Sequence, residues 1–386
     1  MSERQELPAS ESPRASVLIA AFNPSTFGEC LRSLAAHLPE APSCEVIATL
    51  NGPTDALLDS AAGVTGLRTV DTPVNLGLAA GANLARSRAR GELMVLVQDD
   101  AEIESGWLET LVAAADAHPE AGAVGGMVTW PGGERVQTAG LVLWNDCSHS
   151  EVGAGSHPDD WAGSDPFAVD YCSSSSLLVR TETWDAVGGL DDSFFPAGHV
   201  DADLAMRIRR ANRAVLVEPR ARSYHRRGAS STKPFKRFIA VRNAVLFRER
   251  WGAELARTQE PPGERGAVEF ERALGRADER RSRCARRPAA APTGEPRGAR
   301  DIDPLSFSRR DLALHQAYVS ELEPALEHFE SEAGGLREQV AELNERLRER
   351  DEQLAAITQG GWWRLRERLL PLLKLAGAAR SRWSRR

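Results

Sequence analysis

The sequence predicts an α/β protein with a mostly parallel sheet and helices on both faces, followed by a linker and C-terminal helices. Between residues 16 and 250, short aliphatic runs alternate with longer helical patterns. Strands separated by helices of this length are typical of βαβ units, whose parallel strands are covered on both faces. From about residue 254 the sequence is rich in Arg, Ala, Pro and Gly and has little periodic apolar content, which favours a linker.

The individual elements can be assigned in chain order. The strand-like runs are SVLIAAF (16–22), CEVIATL (44–50), LRTVDT (67–72) and LMVLV (93–97), and the first helical patterns are TFGECLRSLAAHL (26–38) and GLAAGANLARSRARG (77–91). Thr26 and Glu29 have the spacing of a capping box, which predicts that the first helix begins near Thr26. Ligands of parallel sheets bind beyond the carboxyl ends of the strands, so residues that follow these runs are candidates for binding.

Four segments are expected along the chain. They are an α/β domain (15–255), a flexible linker (256–304) with one weak helix near 264–275, a helical or coiled-coil segment (305–358) and a basic amphipathic tail (359–386). Within the third segment, an apolar seam follows heptad spacing, and Arg350 occupies one of its positions. The apolar seam residues are Leu336, Val340, Leu343, Leu347, Leu354 and Ile357. This pattern predicts self-association through residues 336–357 or packing on the first domain.

Composition excludes several classes of protein. The 386 residues are 42% hydrophobic and 27% charged, which is ordinary for a globular protein, and the net charge of −7 argues against a nucleic-acid partner. The N-terminus is polar and no apolar run reaches about 18 residues, so neither a secretory signal nor a membrane span is expected. Five cysteines without a CxxC pair favour a reducing compartment. We therefore expect a cytoplasmic protein, with possible contact at the inner face of the membrane.

Two adjacent carboxylates, Asp99 and Asp100, directly follow the aliphatic run 93–97. Carboxylates beside a buried strand are costly unless a cation or hydrogen bonds offset their charge. A pair of this kind can simply cap the following helix, and it can also bind a divalent metal through its oxygens. The surrounding motifs favour the metal.

Residues from Ser16 to about Leu255 resemble the family-2 glycosyltransferases of the GT-A fold, in particular rhamnosyl- and galactofuranosyltransferase-like enzymes of bacterial surface polysaccharides. Five blocks occur in the family's order, which makes the resemblance specific. They are SVLIAAFN (16–23), EVIATLNGPTD (45–55), NLGLAAGANLARSRARGELMVLVQDDAEIESGWL (75–108), VDYCSSSSLLVRTETWDAVGGLDDSFF (169–195) and HVDADLAMRIRRANRAVLVEPRARSYH (199–225).

The resemblance implies a nucleotide-diphospho-sugar donor and a divalent metal, Mn²⁺ or Mg²⁺. Asp100 matches the last acid of the family's Asp-x-Asp turn and His225 matches its metal-ligand histidine, whereas Gln98 replaces the first acid of the turn. Residues matching the donor-binding blocks are Asn23, Asn51, Asp55, Asn75, Gln98 and Asp99. Leu50 stands where the family usually has an acid for base recognition.

Asp201 matches the acid that acts as the catalytic base in the family's Glu-Asp-x-Asp-Leu motif, although Val200 replaces the first acid. A base at this position would take the proton of the attacking acceptor hydroxyl. Asp203 is two residues further along and cannot lie on the same helix face as Asp201. A role in complementing the helix N-terminal dipole suits Asp203 better. On the acceptor side the resemblance points to Trp107, Asp191 and Asp192, although core packing also explains Trp107.

The sequence therefore favours an inverting, metal-dependent glycosyltransferase that acts on a glycan or lipid-linked acceptor in cell-surface polysaccharide synthesis. Two alternatives stay open. One is a non-catalytic glycan-binding or scaffolding protein, which the loss of acids at Leu50, Gln98 and Val200 favours. The other is a nucleotidyltransferase, although the first strand is not followed by a Gly-rich phosphate loop.

The tail segment predicts a peripheral membrane contact. Residues 361–386 hold eight Lys and Arg residues against one Glu, together with Trp and Leu residues at helical spacing. Basic residues beside Trp and Leu suit an interfacial helix on an anionic membrane, although Pro371 would interrupt it. The alternatives are a tail that packs on the acidic domain and a disordered basic end.

Overall fold

The computed structural model describes residues 5–52, 54–226, 232–261, 267–286 and 303–359, and a few single positions between 361 and 371. The chain divides into two compact units, Met1–Leu314 and His315–Arg386. The first unit holds the sheet. Most of the tail segment 359–386, and with it the predicted membrane contact, lies outside the described residues.

The strands are short except in the centre of the sheet. They are β1 (Gln5–Glu6), β2 (Ala15–Ala21), β3 (Cys44–Asn51), β4 (Val64–Thr65), β5 (Leu67–Thr72), β6 (Leu93–Leu96), β7 (Ala101–Ile103), β8 (Ala121–Thr129), β9 (Val136–Thr138), β10 (Leu141–Leu143), β11 (His149–Glu151), β12 (Phe167–Ala168), β13 (Leu177–Arg180) and β14 (Ala214–His225).

The helices alternate with the strands in the first part of the chain. They are α1 (Pro24–His37), α2 (Thr54–Ser60), α3 (Gly77–Arg86), α4 (Trp107–Ala117), α5 (Thr181–Val187), α6 (Val200–Arg210), α7 (Lys233–Leu255), α8 (Ala267–Arg286) and α9 (Pro304–Gln359), with short 3₁₀ helices at Pro158–Trp161 and Asp192–Phe194. None of the helices in the described residues is long and apolar enough to cross a membrane.

The main sheet has the order β12-β14-β8-β13-β6-β2-β3-β5, with β7 added beside β14 and β9 beside β8. Pairing is parallel from β6 through β2 and β3 to β5, and again between β8 and β14. Strand β13 runs antiparallel between β6 and β8. The α/β class is therefore confirmed. The sheet is mixed, because β13 and also β7, β9 and β12 run antiparallel to their neighbours.

Strand β13 has a consequence for function. Because it is antiparallel, its amino end lies at the same edge as the carboxyl ends of β2, β3, β6, β8 and β14. The serines that precede it, 173–176, therefore reach the edge where parallel sheets bind ligands.

Helices cover both faces of the sheet, as the aliphatic strands require. On one face, Phe27 of α1 and Trp107 of α4 pack on the alternate side chains of β2, β3 and β6. On the other, Leu204 of α6 and Trp251 of α7 pack with the remaining strand side chains. Burial of large apolar side chains on both faces is the main force that holds these layers together.

Two sequence expectations differ from the structure. Helix α1 begins at Pro24, because Asn23 is its N-cap and accepts a hydrogen bond from the Ser25 N–H through its side chain. Asn is among the best N-caps and Pro suits the first helical turn, so these two outweigh the capping-box spacing of Thr26.

Part of the expected flexible linker is helical: residues 267–286 form α8, which is longer than the one weak helix expected near 264–275. This helix buries Ala273 and Ala277 in the first unit, and Arg276 and Arg280 form ion pairs with the fully buried Asp170. The Arg-rich composition of the segment obscured a stripe of small apolar residues at helical spacing. The other boundaries of the four expected segments stay predictions.

Candidate active site

Polar side chains converge at the carboxyl edge of the sheet. Asn51 ends β3, and His225 ends β14. Asp99 and Asp100 follow β6 and are both buried. The pairing of β14 with β7 sets His225 opposite Ala101, which brings the histidine beside the two aspartates.

Asp99 ties the end of β6 to the turn after β2. Its Oδ2 accepts hydrogen bonds from the backbone N–H groups of Phe22 (2.7 Å) and Asn23 (2.8 Å). Burial raises the pKa of Asp99 to about 6, although these two hydrogen bonds act in the opposite direction. The carboxylate therefore fixes the backbone of this edge, and one of its oxygens is committed to that contact.

Asp100 and His225 face each other. The His225 Nε2 lies 3.1 Å from Asp100 Oδ1. On the other side of the ring, His225 Nδ1 lies 3.2 Å from Gln137 Oε1, while Gln137 Nε2 donates to the backbone carbonyl of His225 at 3.1 Å. The second contact orients the Gln137 amide, so its oxygen accepts the Nδ1–H proton and the neutral imidazole carries its lone pair on Nε2.

This arrangement fits a cation. The His225 Nε2 is buried and has no hydrogen-bond partner of acceptable geometry. A lone pair on Nε2 that faces a carboxylate is satisfied by a divalent metal or by a proton on the ring. Within the part of the chain that the structure describes, no group of three or more His, Cys, Asp or Glu side chains is assembled for a metal, so the protein would supply these two ligands.

Asp201 lies at the same edge, in the first turn of α6. Its Oδ2 accepts a hydrogen bond of 3.3 Å from the backbone N–H of Ser174, and Gln98 Nε2 donates to Ser174 Oγ at 2.9 Å. Asp201 is half-buried. Ser174 thus joins Asp201 to the turn that carries Asp99 and Asp100, a role that the sequence did not single out.

Asp203 has a structural role, as expected for the second acid. It is fully buried. Its carboxylate accepts hydrogen bonds from Arg207 Nε (2.8 Å), Arg250 Nη1 (2.8 Å) and Trp251 Nε1 (2.9 Å). Of the two acids, only Asp201 is accessible at the sheet edge.

His199 is a second residue that the sequence analysis missed. It is the residue before α6 and has a left-handed backbone, φ +62°. Non-glycine residues rarely adopt this conformation, which is concentrated at functional sites. Burial lowers the pKa of His199, while the nearby charge of Asp201 acts to raise it. A neutral imidazole therefore flanks the candidate base.

The donor-side asparagines act mainly on the backbone. Asn51 Oδ1 accepts from the Leu76 N–H at 2.7 Å, and its Nδ2 donates to the Gly77 carbonyl at 3.0 Å. Asn75 Oδ1 accepts from the Gly77 N–H at 2.8 Å. These bonds hold the turn before α3. Asp55 is exposed in the first turn of α2, near the same edge.

Phe22 adds an exposed aromatic ring to this edge. Its side chain is 36% exposed, although it directly follows a buried strand. A Cβ added to Gly52 would lie 3.8 Å from Phe22 Cε2 and 3.8 Å from the Asn75 backbone nitrogen. One small region is therefore lined by Phe22, Gly52 and Asn75. The sequence analysis did not consider Phe22, although an aromatic residue directly after the first strand was a signal for it.

The three residues expected on the acceptor side all make contacts within the fold. Trp107 is fully buried and donates its indole N–H to Ser176 Oγ at 2.8 Å, so contact with an acceptor is corrected to core packing. Asp191 is buried, caps the 3₁₀ helix at Ser193 and pairs with Arg250. Asp192 pairs with Arg310 at 3.2 Å. None of these contacts involves Asp201.

Two positions at which the family has an acid and this chain has an apolar residue lie in the interior. Leu50 is fully buried in the sheet, and Val200 is 1% exposed at the start of α6. Each apolar residue therefore fills a packed position. Gln98 is half-buried and keeps a polar role through Ser174.

Comparisons with known proteins identify one matching family. Residues 16–155 match the sequence model of glycosyl transferase family 2. The uncharacterized protein y4gI of Sinorhizobium fredii is 33% identical over 180 residues, which cover 44% of this chain and 19% of that protein. The O-antigen biosynthesis protein RfbC of Myxococcus xanthus is 29% identical over 160 residues, which cover 38% of this chain and 12% of that protein. The chain thus spans less than a fifth of the length of either relative.

Solved structures show more distant similarity. A mannosyltransferase of Pyrobaculum calidifontis, in complex with GDP-Man and Mn²⁺, aligns with 83% of this chain and 85% of its own at 16% identity and a TM-score of 0.45. A crystal structure of GalNAc-T7 with UDP, GalNAc and Mn²⁺ aligns with 63% of this chain and 48% of its own at 14% identity and a TM-score of 0.47.

Proposed function

Because residues 16–155 match the sequence model of glycosyl transferase family 2, we propose that this chain is an inverting, metal-dependent glycosyltransferase of that family. The observation that carries the proposal is the meeting of a metal-type pair, Asp100 and His225, with an accessible carboxylate, Asp201, at one edge of the sheet. Gln98 and Ser174 connect the two parts through hydrogen bonds. A donor and an acceptor bound on either side of this connection would meet beside Asp201.

The donor's diphosphate would bind at Asp100 and His225. These side chains would hold Mn²⁺ or Mg²⁺, and oxygens of the diphosphate would add to its ligands. When bound, the metal neutralises the charge that develops on the leaving diphosphate. Gln137 fixes the His225 ring in the tautomer that a metal requires.

The nucleoside would lie against Phe22. An exposed aromatic ring next to the α-carbon of Gly52 provides a flat surface on which a base can stack. The exposed Asp55 and the half-buried Gln98 would accept hydrogen bonds from ribose hydroxyls. Leu50 cannot recognise a base through its apolar side chain, so base selection would depend on backbone groups and the shape of this region.

Asp201 would act as the general base. It accepts the proton of the acceptor hydroxyl as the hydroxyl oxygen forms a bond to the anomeric carbon. The bond from that carbon to the diphosphate breaks, and the nucleoside diphosphate leaves with the bonding electrons. The Ser174 N–H holds the carboxylate, and the single displacement inverts the anomeric configuration.

The acceptor proposed here is a glycan or lipid-linked precursor of a surface polysaccharide. The support for this class is the similarity to RfbC of Myxococcus xanthus, which is described as an O-antigen biosynthesis protein. A lipid-linked acceptor would also give a use to the predicted membrane contact of the tail, residues 359–386.

One test separates this proposal from a non-catalytic glycan-binding protein, which the apolar residues Leu50 and Val200 favour. The purified chain is incubated with a panel of nucleotide sugars, with and without Mn²⁺, and release of the nucleoside diphosphate is measured. We expect metal-dependent release from at least one donor, and its loss in Asp201→Asn. Binding of a donor without release or transfer under any condition would favour the non-catalytic alternative.

A further inference from the structure

Helix α9 exposes an apolar stripe in the second unit. The helix is 56 residues long, which corresponds to about 84 Å at 1.5 Å per residue. On it, Val340 is 56% exposed, Leu343 57% and Leu347 60%. These three residues follow heptad spacing, and in sequence the seam continues on both sides of them. Most helical stability in proteins comes from packing of an apolar face, so an exposed apolar stripe on this helix favours a partner.

We propose that this stripe binds a second copy of the same chain as a parallel, in-register coiled coil. The proposal does not depend on the glycosyltransferase activity. In heptad terms Val340 and Leu347 are a positions and Leu343 is a d position. A β-branched residue at a together with Leu at d favours two strands over three or four.

The charges beside the seam select a parallel arrangement. Arg346 lies at a g position and Asp351 at the following e position, and both are exposed. In a parallel dimer each g residue faces the next e residue of the partner, so Arg346 would meet the partner's Asp351 on both sides of the seam. In an antiparallel dimer centred on the seam, the two copies of Arg346 would face each other, which is unfavourable.

Arg350 limits the strength of this dimer. It occupies a d position, where its side chain replaces an apolar contact, but it lies next to Asp351 in the heptad and can reach the partner's carboxylate. Polar residues at core positions lower stability and specify alignment. The expected assembly is therefore a weak dimer with one alignment, whose population depends on protein concentration.

Engineered cysteines in the full-length chain test the alignment. The five native cysteines are all buried, so an added surface cysteine reports on its own position. Leu343→Cys would form a symmetric disulfide, because equal d positions face each other in a parallel dimer and a disulfide needs a Cα separation of about 5.5–6 Å. Glu352→Cys is the control, since this exposed f position faces away from the partner.

We expect Leu343→Cys to give a disulfide-linked dimer under mild oxidation, while Glu352→Cys stays monomeric on a non-reducing gel. Equal crosslinking of the two variants would reflect random collision and would overturn the proposal. Crosslinking that requires a mixture of Leu343→Cys with Leu347→Cys would also overturn it, because those positions meet in an antiparallel pair.

Charge exchange gives an independent readout without oxidation. Asp351→Arg should shift the wild-type dimer towards the monomer mass in light scattering, and the double variant Arg346→Asp, Asp351→Arg should restore the dimer. Failure of the double variant to recover the dimer would contradict the proposed pairing. A wild-type chain that stays at the monomer mass over the whole concentration series would overturn the dimer itself.

Discussion

Replacement of Asp203 should mainly lower the stability of the fold, whereas replacement of Asp201 should mainly lower catalytic activity. Asp203 is fully buried and accepts three hydrogen bonds, two of them from the charged groups of Arg207 and Arg250. Asn at this position keeps one acceptor oxygen but loses the negative charge. Arg207 would then lose its carboxylate partner, and Arg250 would keep only Asp191.

The expected cost follows from these contacts. Breaking a buried ion pair by removing one partner costs about 3–5 kcal/mol of unfolding free energy. Since Arg250 keeps its contact with Asp191, we place Asp203→Asn at the lower end, about 3 kcal/mol. Asp201 is half-buried and accepts only backbone hydrogen bonds, from Ser174 (3.3 Å) and Ala202 (3.0 Å), so Asp201→Asn should cost about 1 kcal/mol or less.

Activity should show the reverse order. Loss of a general base reduces the chemical step by about 10²-fold or more, with little change in donor binding. Both variants are compared by urea unfolding and by initial rates at saturating donor, at a temperature where both are folded. Equal losses of activity with no difference in unfolding free energy would refute the assignment of the two acids.

Three further predictions follow from other parts of the chain. Asp170→Asn should destabilise the first unit by about 3–5 kcal/mol in urea unfolding, because Arg209, Arg276 and Arg280 would lose their shared buried carboxylate; an unchanged unfolding midpoint would contradict this. Burial alone would raise the pKa of Asp170, but the charges of Arg209, Arg280 and Arg276 outweigh burial and lower the pKa. The stability that the Asp170 carboxylate adds should therefore be lost as the pH falls through its folded-state pKa. The Asp170→Asn variant should lack this acid-dependent loss. For the tail, full-length protein should sediment with anionic but not neutral vesicles, and a 1–358 truncation should not; equal sedimentation of the two chains on anionic vesicles would exclude the membrane contact.

The part of the fold that follows from local patterns was predictable from the sequence. The aliphatic runs at 16–22, 44–50 and 93–97 form β2, β3 and β6, because continuous apolar runs between helices can be buried on both faces. The position of Asp99 and Asp100 at the carboxyl edge follows from the same rule. What the pattern could not show was β13, whose antiparallel pairing depends on contacts between distant segments.

Composition was misleading where charge and burial coincide. Helix α8 carries many arginines, which suggested a solvated linker, yet its Arg276 and Arg280 reach a buried carboxylate more than a hundred residues away in sequence. Asp170 gives no signal of this in its own neighbourhood of the sequence. A buried ion-pair network of this kind is visible only once the tertiary contacts are known.

The candidate active site was also predictable only in part. Resemblance to a family identified Asp100, Asp201 and His225 as candidates, and all three lie at one sheet edge. It did not identify Gln137 or Ser174, which orient them through hydrogen bonds, because a residue in that role is chosen by geometry and many polar residues can fill it. Trp107 was misassigned because a large aromatic residue near a motif can equally be core.

The central claim is that Asp100 and His225 hold a divalent metal for a nucleoside diphosphate while Asp201 does not. Gln137 offers a related control, because Gln137→Met removes the acceptor of the Nδ1–H and should weaken metal binding by about 10–100-fold. The most direct measurement is Mn²⁺ binding followed by the loss of the free-ion electron paramagnetic resonance signal, with a nucleoside diphosphate present and the diphosphate alone as the reference.

In that titration the wild-type chain should bind Mn²⁺ more tightly than the diphosphate alone. Asp100→Asn should remove the added affinity, and Asp201→Asn should retain it although its turnover falls. If the wild-type chain adds no Mn²⁺ affinity to that of the diphosphate, or if Asp100→Asn binds Mn²⁺ as well as wild type, the metal site does not lie at Asp100 and His225.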